Sequence, residues 1–539
     1  MKKIAATFID ALQKDKNSKW LLLIVIISYG VSLVYNLHVA PLNMEEPRRG
    51  IVAMEMLFNN NFIVTTLLND TFYDHPPLWN IILAMSIKVF GFNAFALRFP
   101  AALAFLLTGI LLYFVGKKHV NKTFGIFSAL YYLISVDLYF FFATAAEIDI
   151  FYSLLVLLAL LSIFHFYQTK QFYWLFGCTY FFANLAFLTK GFSTYGFIGL
   201  TLLAYFIYTK SFKKLFSVPH ILFGILSIGF IALYFYVYNL YEDTETYITK
   251  MWRLTTDKTA SESIKNFLIH FITYPMEIIG NIFPSTIFLL FLWDKKIIQR
   301  IKEQPYILFL AITVLANIWI FSVSSGARIR YSYMFFPMII SILVYAFSQK
   351  IMEKSWKHTL YYTLLLCVFG IITIACFATP FVSLLSVIEG LNYKMPLIGC
   401  AALATIFFTL KTNGWTKHLF IILFFIITRY AYNTAALPMR NVKSSSAAFR
   451  IQANAIYKEA KNNPIYVLSD EEMGSFKYYN VKFYSVIAYL EMYREGLVIK
   501  TPTLENSGYY IINRKDLKQH SSLYDFNIKG LNFSLIKVP

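Results

Sequence analysis

Charged residues are scarce in this sequence: Asp, Glu, Lys and Arg make up 14% of its 539 residues, whereas hydrophobic residues make up 58%. Soluble globular proteins usually have about a quarter of their residues charged, so this composition excludes an ordinary soluble protein. Apolar runs of about twenty residues recur along the chain, which is the length an α-helix needs to cross a bilayer. The sequence therefore predicts a polytopic helical membrane protein.

Cysteines are few, and nucleotide-binding motifs are missing. The four cysteines, Cys178, Cys367, Cys376 and Cys400, lie in apolar stretches without the spacing of a metal site, so disulfides and thiolate metal centres are not expected. The sequence has no G-x-x-x-x-G-K-[ST] motif and no G-x-G-x-x-G after a predicted strand. A soluble nucleotide is therefore not expected as a donor substrate.

Basic residues outnumber acidic ones, and the formal net charge is +19. Nucleic-acid binding is not expected, because the basic residues are dispersed through short loops between apolar runs, as membrane topology requires. The basic N-terminal stretch, residues 1–19, precedes an apolar run without an A-x-A cleavage site. We predict that it is an uncleaved cytoplasmic segment.

About thirteen apolar runs are long enough to span a bilayer. One further run, residues 76–91, is short and contains two prolines and a lysine. If it does not cross, all the lysine-rich loops fall on the side of the N-terminus, as the positive-inside rule favours. We therefore predict an interfacial helix at 76–91 within one outer loop, 39–95. The predicted spans begin near Trp20, Ala96, Phe124, Ile150, Phe172, Thr194, Ile221, Ile278, Tyr306, Tyr331, Thr359, Pro396 and His418.

An odd number of spans places the C-terminus on the outer side, where the composition becomes polar. The stretches IYVLS, KYYNVKFYSV, GYYIIN and NFSLIKV predict strands, and FRIQANAIYKEAKN predicts a helix. The sequence thus predicts an all-α transmembrane domain, residues 1–440, followed by a small extracytoplasmic α/β domain, residues 441–539.

Acidic and basic residues gather at the predicted outer face. Each one has an ordinary interpretation, because a lone lysine or arginine often reaches lipid headgroups and an acid beside a span is often solvated. The position of these acids and bases on one common face suggests instead that they transfer a group from a phosphate carrier to an acceptor. In such a reaction a carboxylate takes the acceptor's proton and cations stabilise the departing phosphate. These residues are Glu45, Glu46, Arg48, Arg49, Asp74, His75, Glu147, Asp149, Lys190, Arg328 and Arg330.

Short motifs in this order resemble the GT-C glycosyltransferases, and within them the aminoarabinose transferase and protein O-mannosyltransferase branch. The resemblance covers about residues 20–440 and implies a polyprenyl-phosphate-linked sugar donor used on the outer side of the membrane. The motifs are the acidic pair Glu45-Glu46 in a long first outer loop, Y-x-x-P-P-L from Tyr73, R-x-P from Arg98, A-x-x-D ending at Asp149, and LTKG around Lys190.

The resemblance also implies roles for individual residues. Glu45 stands where the family usually has its leading catalytic aspartate, and Asp149 matches the second family acid. Lys190 matches a lysine that binds the donor phosphate. The implied substrate-binding residues are Glu46, Arg48, Tyr73, Asp74, His75, Lys190, Arg328, Arg330 and Tyr331.

A metal site is a separate question. In the aminoarabinose transferases a glutamate before Pro-Pro helps to hold zinc together with a histidine from a later outer loop. This chain has Asp74-His75 in that place, and His270 lies some residues from the matching position. A divalent metal held by Asp74 with His75 or His270, and no metal at all, both stay open.

Two other functions compete with a transferase of the bacterial inner membrane. A transporter or lipid flippase usually places ionisable residues near the membrane midplane, on broken helices in repeated halves, and this sequence shows no repeat. A non-catalytic scaffold leaves the outer acids and bases without a purpose. The acceptor stays open between lipid A, another glycolipid or polysaccharide, and protein.

Overall fold

The computed structural model describes residues 16–256, 264–351, 355–469, 482–517, 520–528 and 530–539. Most of the predicted cytoplasmic N-terminal stretch therefore lies outside the described residues. The part that is described is predominantly helical, with one small hairpin and one five-stranded sheet.

The helices and strands follow one another in chain order, interrupted by short 3₁₀ turns. The helices are α1 (Lys16–Val34), α2 (Glu46–Phe58), α3 (Leu78–Phe90), α4 (Ala94–His119), α5 (Lys122–Leu133), α6 (Val136–Phe140), α7 (Ile148–Gln168), α8 (Phe172–Lys190), α9 (Ser193–Tyr208), α10 (Val218–Tyr238), α11 (Thr244–Thr256), α12 (Ile264–Asn281), α13 (Leu289–Leu292), α14 (Lys295–Glu303), α15 (Pro305–Ser322), α16 (Phe336–Ser348), α17 (Trp356–Ala378), α18 (Leu391–Lys411), α19 (Gly414–Ala431), α20 (Leu437–Lys443), α21 (Ser445–Ala460) and α22 (Phe483–Arg494). The strands are β1 (Thr66–Leu67), β2 (Asp70–Thr71), β3 (Ile465–Leu468), β4 (Val498–Thr501), β5 (Gly508–Asn513), β6 (Tyr524–Ile528) and β7 (Leu531–Val538).

Among the described residues, nine helices are long and apolar enough to cross a membrane, and up to eleven if each of two bent helix pairs forms one span. The chain is therefore a multi-pass membrane protein. Every predicted span coincides with an apolar helix or a bent pair, but Ser18–Val34 and Ser193–Tyr208 are shorter than the others. The total of thirteen stays a prediction. The predicted interfacial helix is present as Leu78–Phe90, and its position at the membrane surface stays a prediction.

The first loop turns sharply where α3 meets α4. Gly91 ends α3 with a φ of +82°, a conformation that glycine adopts without steric cost. Asn93 then caps α4, because its side chain accepts a hydrogen bond from the amide of Ala96 at 2.9 Å. This short connection packs α3 against α4 and holds the segment that precedes α3 beside the helical bundle.

The first loop and the C-terminal region share one hydrophobic core. Ile51 and Met54 of α2 and Trp79 of α3 are buried in the same cluster as Phe483 and Ile487 of α22. The hairpin β1–β2 also meets the C-terminal sheet, since the amide of Lys500 in β4 donates to the carbonyl of Leu68 at 3.0 Å. Helix α2 is thus held between the bundle and the C-terminal region, and its first turn is fixed in place.

The C-terminal sheet has the strand order β4-β3-β5-β7-β6, with β3 parallel to β4 and β5, and β7 antiparallel to β5 and β6. Three of the four predicted strands and the predicted helix, α21, are confirmed. The strand prediction for KYYNVKFYSV is wrong from Phe483 onward, because Phe483, Val486, Ile487 and Leu490 recur at helical spacing and are buried on one face of α22. Residues 477–481 of that stretch lie outside the described residues, and the domain boundary near residue 440 stays a prediction.

Labelling of single cysteines would test the predicted topology. In a background without the four native cysteines, Ser521→Cys is expected to react with an impermeant thiol reagent in intact spheroplasts, because the C-terminal region is predicted to be extracytoplasmic. Asn121→Cys, in a lysine-rich loop, should react only after the membrane is permeabilised. The reverse pattern would overturn the predicted orientation, and labelling of both after permeabilisation provides the control for accessibility.

Candidate functional site

The first turn of α2 contributes an acid and two guanidinium groups that meet the loop before α3. Arg48 Nη2 lies 2.5 Å from Glu45 Oε2 and 3.5 Å from Asp74 Oδ2, and Arg49 Nη2 lies 2.8 Å from Asp74 Oδ2. Helical geometry places residues 45 and 48 on one face of the turn. Glu45 keeps 18% of its side chain exposed, so this carboxylate remains accessible to another molecule.

Glu46 is held in a different way from its neighbour Glu45. Its carboxylate accepts two hydrogen bonds from Arg98, at 2.7 and 2.9 Å, and two more from the backbone amides of Asn43 and Ala146. Arg98 also donates to three carbonyl groups of the segment before α2. This bidentate, buried pair ties the start of α2 to α4, which is the geometry of a positioning residue.

A second group of charges surrounds the start of α7 and the end of α8. The Lys190 ammonium is paired with the Asp149 carboxylate. Arg330 reaches both neighbouring acids, with Nη1 at 3.0 Å from Glu147 Oε2 and Nε at 3.7 Å from Asp149 Oδ2. The two acids are almost fully buried, whereas Lys190 and Arg330 keep about a tenth of their side chains exposed. Two cations thus stand at the surface of a buried acidic pair.

The two groups join through Glu147. The backbone amide of Glu45 donates to Glu147 Oε1 at 3.4 Å, which brings the start of α2 against the start of α7. Burial raises the pKa of Glu147 to about 7, although the neighbouring Arg330 opposes this shift. We call the connected set the charged cluster; it consists of Glu45, Arg48, Asp74, Glu147, Asp149, Lys190 and Arg330.

A cavity of about 350 Å³ opens beside the charged cluster on the side of Lys190. The Lys190 ammonium lies 4.5 Å from the ring centroid of Tyr331 and 5.2 Å from that of Tyr152. Because most of the remaining wall is apolar, this cavity presents a cation beside surface suited to a hydrocarbon chain. It is lined by His75, Tyr152, Lys190, Phe192, Ser193, Gly196, Phe197, Met251, Trp252, Ile320, Phe321, Ser324, Ala327 and Tyr331.

A second cavity, of about 400 Å³, lies beside the start of α2. Its wall includes Met44 and Glu46, the two neighbours of Glu45 in the chain, together with Arg440 in α20. The Arg440 guanidinium lies over the ring of Tyr432, at 5.7 Å from its centroid. The segment that contains Glu45 therefore borders the second cavity.

Most of the predicted site residues come together, but not all of them. Tyr73 packs against Tyr247 and under Lys250 at the edge of the first loop, and Arg328 has an exposed side chain. Sequence reasoning placed Glu147 and Arg49 in the outer-face set but assigned them no catalytic or binding role, and it used Arg98 only as part of the R-x-P motif. The available signals were the proximity of Glu147 to Asp149, the adjacency of Arg49 to Arg48, and the R-x-P motif at Arg98.

The residues around Asp74 do not fit a zinc site. The Asp74 carboxylate already meets two guanidinium groups, Arg49 at 2.8 Å and Arg48 at 3.5 Å, whose positive charges compete with a metal ion for its oxygens. His270 Nε2 lies 3.1 Å from the carbonyl of Phe321. Within the described ranges, no three His, Cys, Asp or Glu side chains are close enough to hold a metal ion together.

Residues 74–251 match the family described as dolichyl-phosphate-mannose-protein mannosyltransferase. Over 198 residues the chain is 25% identical to undecaprenyl phosphate-alpha-4-amino-4-deoxy-L-arabinose arabinosyl transferase 2 of Proteus mirabilis (strain HI4320), a match that covers 35% of this chain and 34% of that protein. The chain thus spans about a third of this curated relative's length.

The solved structures extend the likeness to the whole fold. ArnT from Cupriavidus metallidurans, bound to undecaprenyl phosphate, superposes with a TM-score of 0.70 and 14% identity, over 97% of this chain and 98% of ArnT. Its apo form gives a TM-score of 0.71 with 13% identity, over 97% and 99% of the two chains. The chain has the ArnT fold. The predicted resemblance to the GT-C glycosyltransferases of the aminoarabinose and protein mannosyltransferase type is confirmed.

The matched segment 74–251 contains Asp74, Asp149 and Lys190, whereas Glu45 and Arg330 lie outside it. The tertiary fold brings both residues to the cluster: Glu45 contacts Glu147 through its amide and is linked to Asp74 by Arg48, and Arg330 contacts Glu147 and Asp149.

Proposed function

We propose that this chain transfers a sugar from a polyprenyl-phosphate donor to an envelope acceptor on the outer face of the bacterial inner membrane. The observation that carries the proposal is the position of Lys190 and Arg330 at the surface of the charged cluster, with Lys190 lining a cavity of mostly apolar wall. A polyprenyl phosphate combines an anionic headgroup with a long hydrocarbon chain, which is the chemistry that such a cavity can accept. The bound undecaprenyl phosphate of ArnT supports the same donor class.

Phosphate binding would change the pairing inside the cluster. The Asp149 carboxylate is paired with Lys190 and lies near Arg330. A donor phosphate would share these cations, as charge-assisted hydrogen bonds to phosphate are among the strongest in proteins. Asp149 would then orient Lys190 and Arg330 toward the phosphate, or accept a hydrogen bond from the sugar. The buried position of Asp149 suits this orienting role.

The transfer step requires a base when the acceptor is a hydroxyl. The bond between the sugar's anomeric carbon and the phosphate oxygen breaks, and the polyprenyl phosphate leaves with the electron pair. The acceptor oxygen forms the new bond to the anomeric carbon, and its proton passes to a carboxylate. Glu45 is our candidate for this base because it is the more exposed of the two predicted catalytic acids. Lys190 and Arg330 stabilise the charge on the leaving phosphate.

We place the acceptor in the second cavity, which Met44 and Glu46 line on either side of Glu45 in the chain. With the donor in the Lys190 cavity, the acceptor would lie next to the chain segment that contains Glu45. Lipid A, another glycolipid or polysaccharide, and protein are the acceptor classes that the proposal includes.

A transfer assay tests the proposal against the flippase alternative. The purified chain is incubated in liposomes with a radiolabelled polyprenyl-phosphate sugar and envelope fractions from cells that lack it. We expect the label to move from the carrier to an envelope component, and Glu45→Gln to abolish the transfer. A flippase would move the carrier across the bilayer while all label stays on it, and that outcome would exclude a transferase.

A further inference from the structure

A groove of about 880 Å³ lies between α8 and α10, away from the charged cluster. Its walls are aromatic and aliphatic, with Tyr173, Trp174 and Phe181 on α8 and Leu226 and Phe230 on α10. Trp174 and Phe181 are both more than half exposed, so the groove is open along its length and not part of the bundle core.

The length of the groove matches one leaflet of a membrane. On α8 it extends from Tyr173 to Asn184, which is about 16 Å at roughly 1.5 Å per residue. Half of a bilayer's hydrocarbon core is about 15 Å thick. At the far end the Ser227 hydroxyl donates to the Asn184 side chain at 2.5 Å, so the polar groups there satisfy each other.

The other end of the groove meets a polar cavity. A cavity of about 540 Å³ shares Tyr173 and Trp174 with the groove and adds Lys170 and Lys214 to its wall. The Lys214 ammonium lies 4.6 Å from the ring centroid of Phe172. The sequence has no Asp or Glu between Asp149 and Glu242, so helices α8 to α10 and their connections contain no acid to balance these lysines.

This lysine cavity lies at the opposite end of α8 from the charged cluster. Lys170 precedes α8 and Lys190 ends it, and the 19 residues of that helix extend about 28 Å. That distance is close to the roughly 30 Å thickness of a hydrocarbon core. Lys170 and Lys190 therefore belong to different sites, one for each leaflet of the membrane.

We propose that the lysine cavity and the groove together bind an anionic phospholipid, with its phosphate between Lys170 and Lys214 and an acyl chain along α8 and α10. Topology alone accounts for lysines in a loop, but it does not account for a leaflet-long groove that ends at them. Trp174 and Tyr173 lie at the junction, where aromatic side chains favour the boundary between headgroup and hydrocarbon. This site is independent of the proposed transfer reaction.

Native mass spectrometry of the purified chain would test the site, using dioleoyl-phosphatidylglycerol, zwitterionic dioleoyl-phosphatidylcholine and undecaprenyl phosphate as probes. We expect phosphatidylglycerol to be retained, and its apparent affinity to fall at least about tenfold in the double variant Lys170→Gln/Lys214→Gln, since a charged hydrogen bond is lost at each position. Lys117→Gln/Lys411→Gln makes the same change of charge near the C-terminal ends of α4 and α18 and should leave retention unchanged. Equal retention in both double variants, or equal retention of phosphatidylcholine by the unmodified chain, would overturn the proposal.

A photoactivatable diazirine in the acyl chain of phosphatidylglycerol would locate the lipid. We expect cross-links on α8 and α10 near Cys178 and Leu226, and their loss when excess phosphatidylglycerol competes. If undecaprenyl phosphate displaces the probe at equal concentration, the lipid phosphate site also accepts the carrier lipid. Cross-links confined to other helices would contradict the site.

Discussion

Glu45→Gln is expected to lower the rate of sugar transfer at least about a hundredfold, because general-base catalysis contributes roughly 10²–10⁴-fold and the amide cannot take the acceptor's proton. The fold should be unaffected, since Glu45, the partner of Arg48, keeps 18% of its side chain exposed and Glu46, which is held by Arg98, anchors the start of α2. The measurement is the initial rate with a radiolabelled donor, together with thermal unfolding of each variant.

Asp149→Asn should also lose most of its activity, for a different reason. The substitution removes the negative charge that pairs with Lys190 and lies near Arg330, so the two cations lose their common orientation. Glu245→Gln, at an exposed position in α11, provides the matched control and should be fully active. Full activity in both Glu45→Gln and Asp149→Asn would remove these acids from the catalytic site.

The pH profile separates the roles of the acids. A hydroxyl acceptor requires an ionised base, so the acidic limb of the rate profile should disappear in Glu45→Gln. A phosphate acceptor is already ionised near neutral pH, and the limb should survive. Glu147 provides a second origin for an acidic limb of the rate profile. Burial raises the pKa of Glu147 to about 7, and protonation of its carboxylate below that pH weakens the contact with Arg330. A limb near pH 7 that survives in Glu45→Gln and disappears in Glu147→Gln belongs to Glu147.

Lys190→Ala is expected to weaken binding of the polyprenyl-phosphate donor by about ten- to a hundredfold, because a charged hydrogen bond to phosphate contributes roughly 1.5–3 kcal/mol. The loss should be larger than the contact alone suggests, since Asp149 is left buried without its main partner. Arg330→Ala should have a similar effect and also leaves Glu147 without its guanidinium partner.

Donor affinity can be measured by titration of undecaprenyl phosphate in detergent, with Lys88→Ala as the control. Lys88 is an exposed lysine near the end of α3 and should not alter affinity. Lys190→Arg keeps the positive charge and should retain more affinity than Lys190→Ala. Unchanged donor affinity in both Lys190→Ala and Arg330→Ala would show that these residues do not bind the donor phosphate and are ordinary cations at the membrane surface.

Much of the helical architecture could be predicted from the sequence because each apolar run is a local property of the chain. The run that begins near Trp20 is a helix whatever its neighbours do, since a helix satisfies its own backbone groups in lipid. The strand prediction for KYYNVKFYSV failed for the opposite reason. Alternation over a short stretch does not separate strand from helix, and the buried face of α22 is decided by its packing against α2.

The sequence by itself determined the class of protein, the apolar helices and the short motifs that contain Glu45, Asp149 and Lys190. These follow from composition and local spacing, which need no knowledge of distant contacts. Only the tertiary structure decided that Glu46 pairs with Arg98, that Asp74 pairs with Arg49, and that Glu147 joins two separate groups of charges. Those outcomes depend on which side chains meet across tens to about a hundred residues of chain, and the role of a carboxylate is set by the partner with which it pairs.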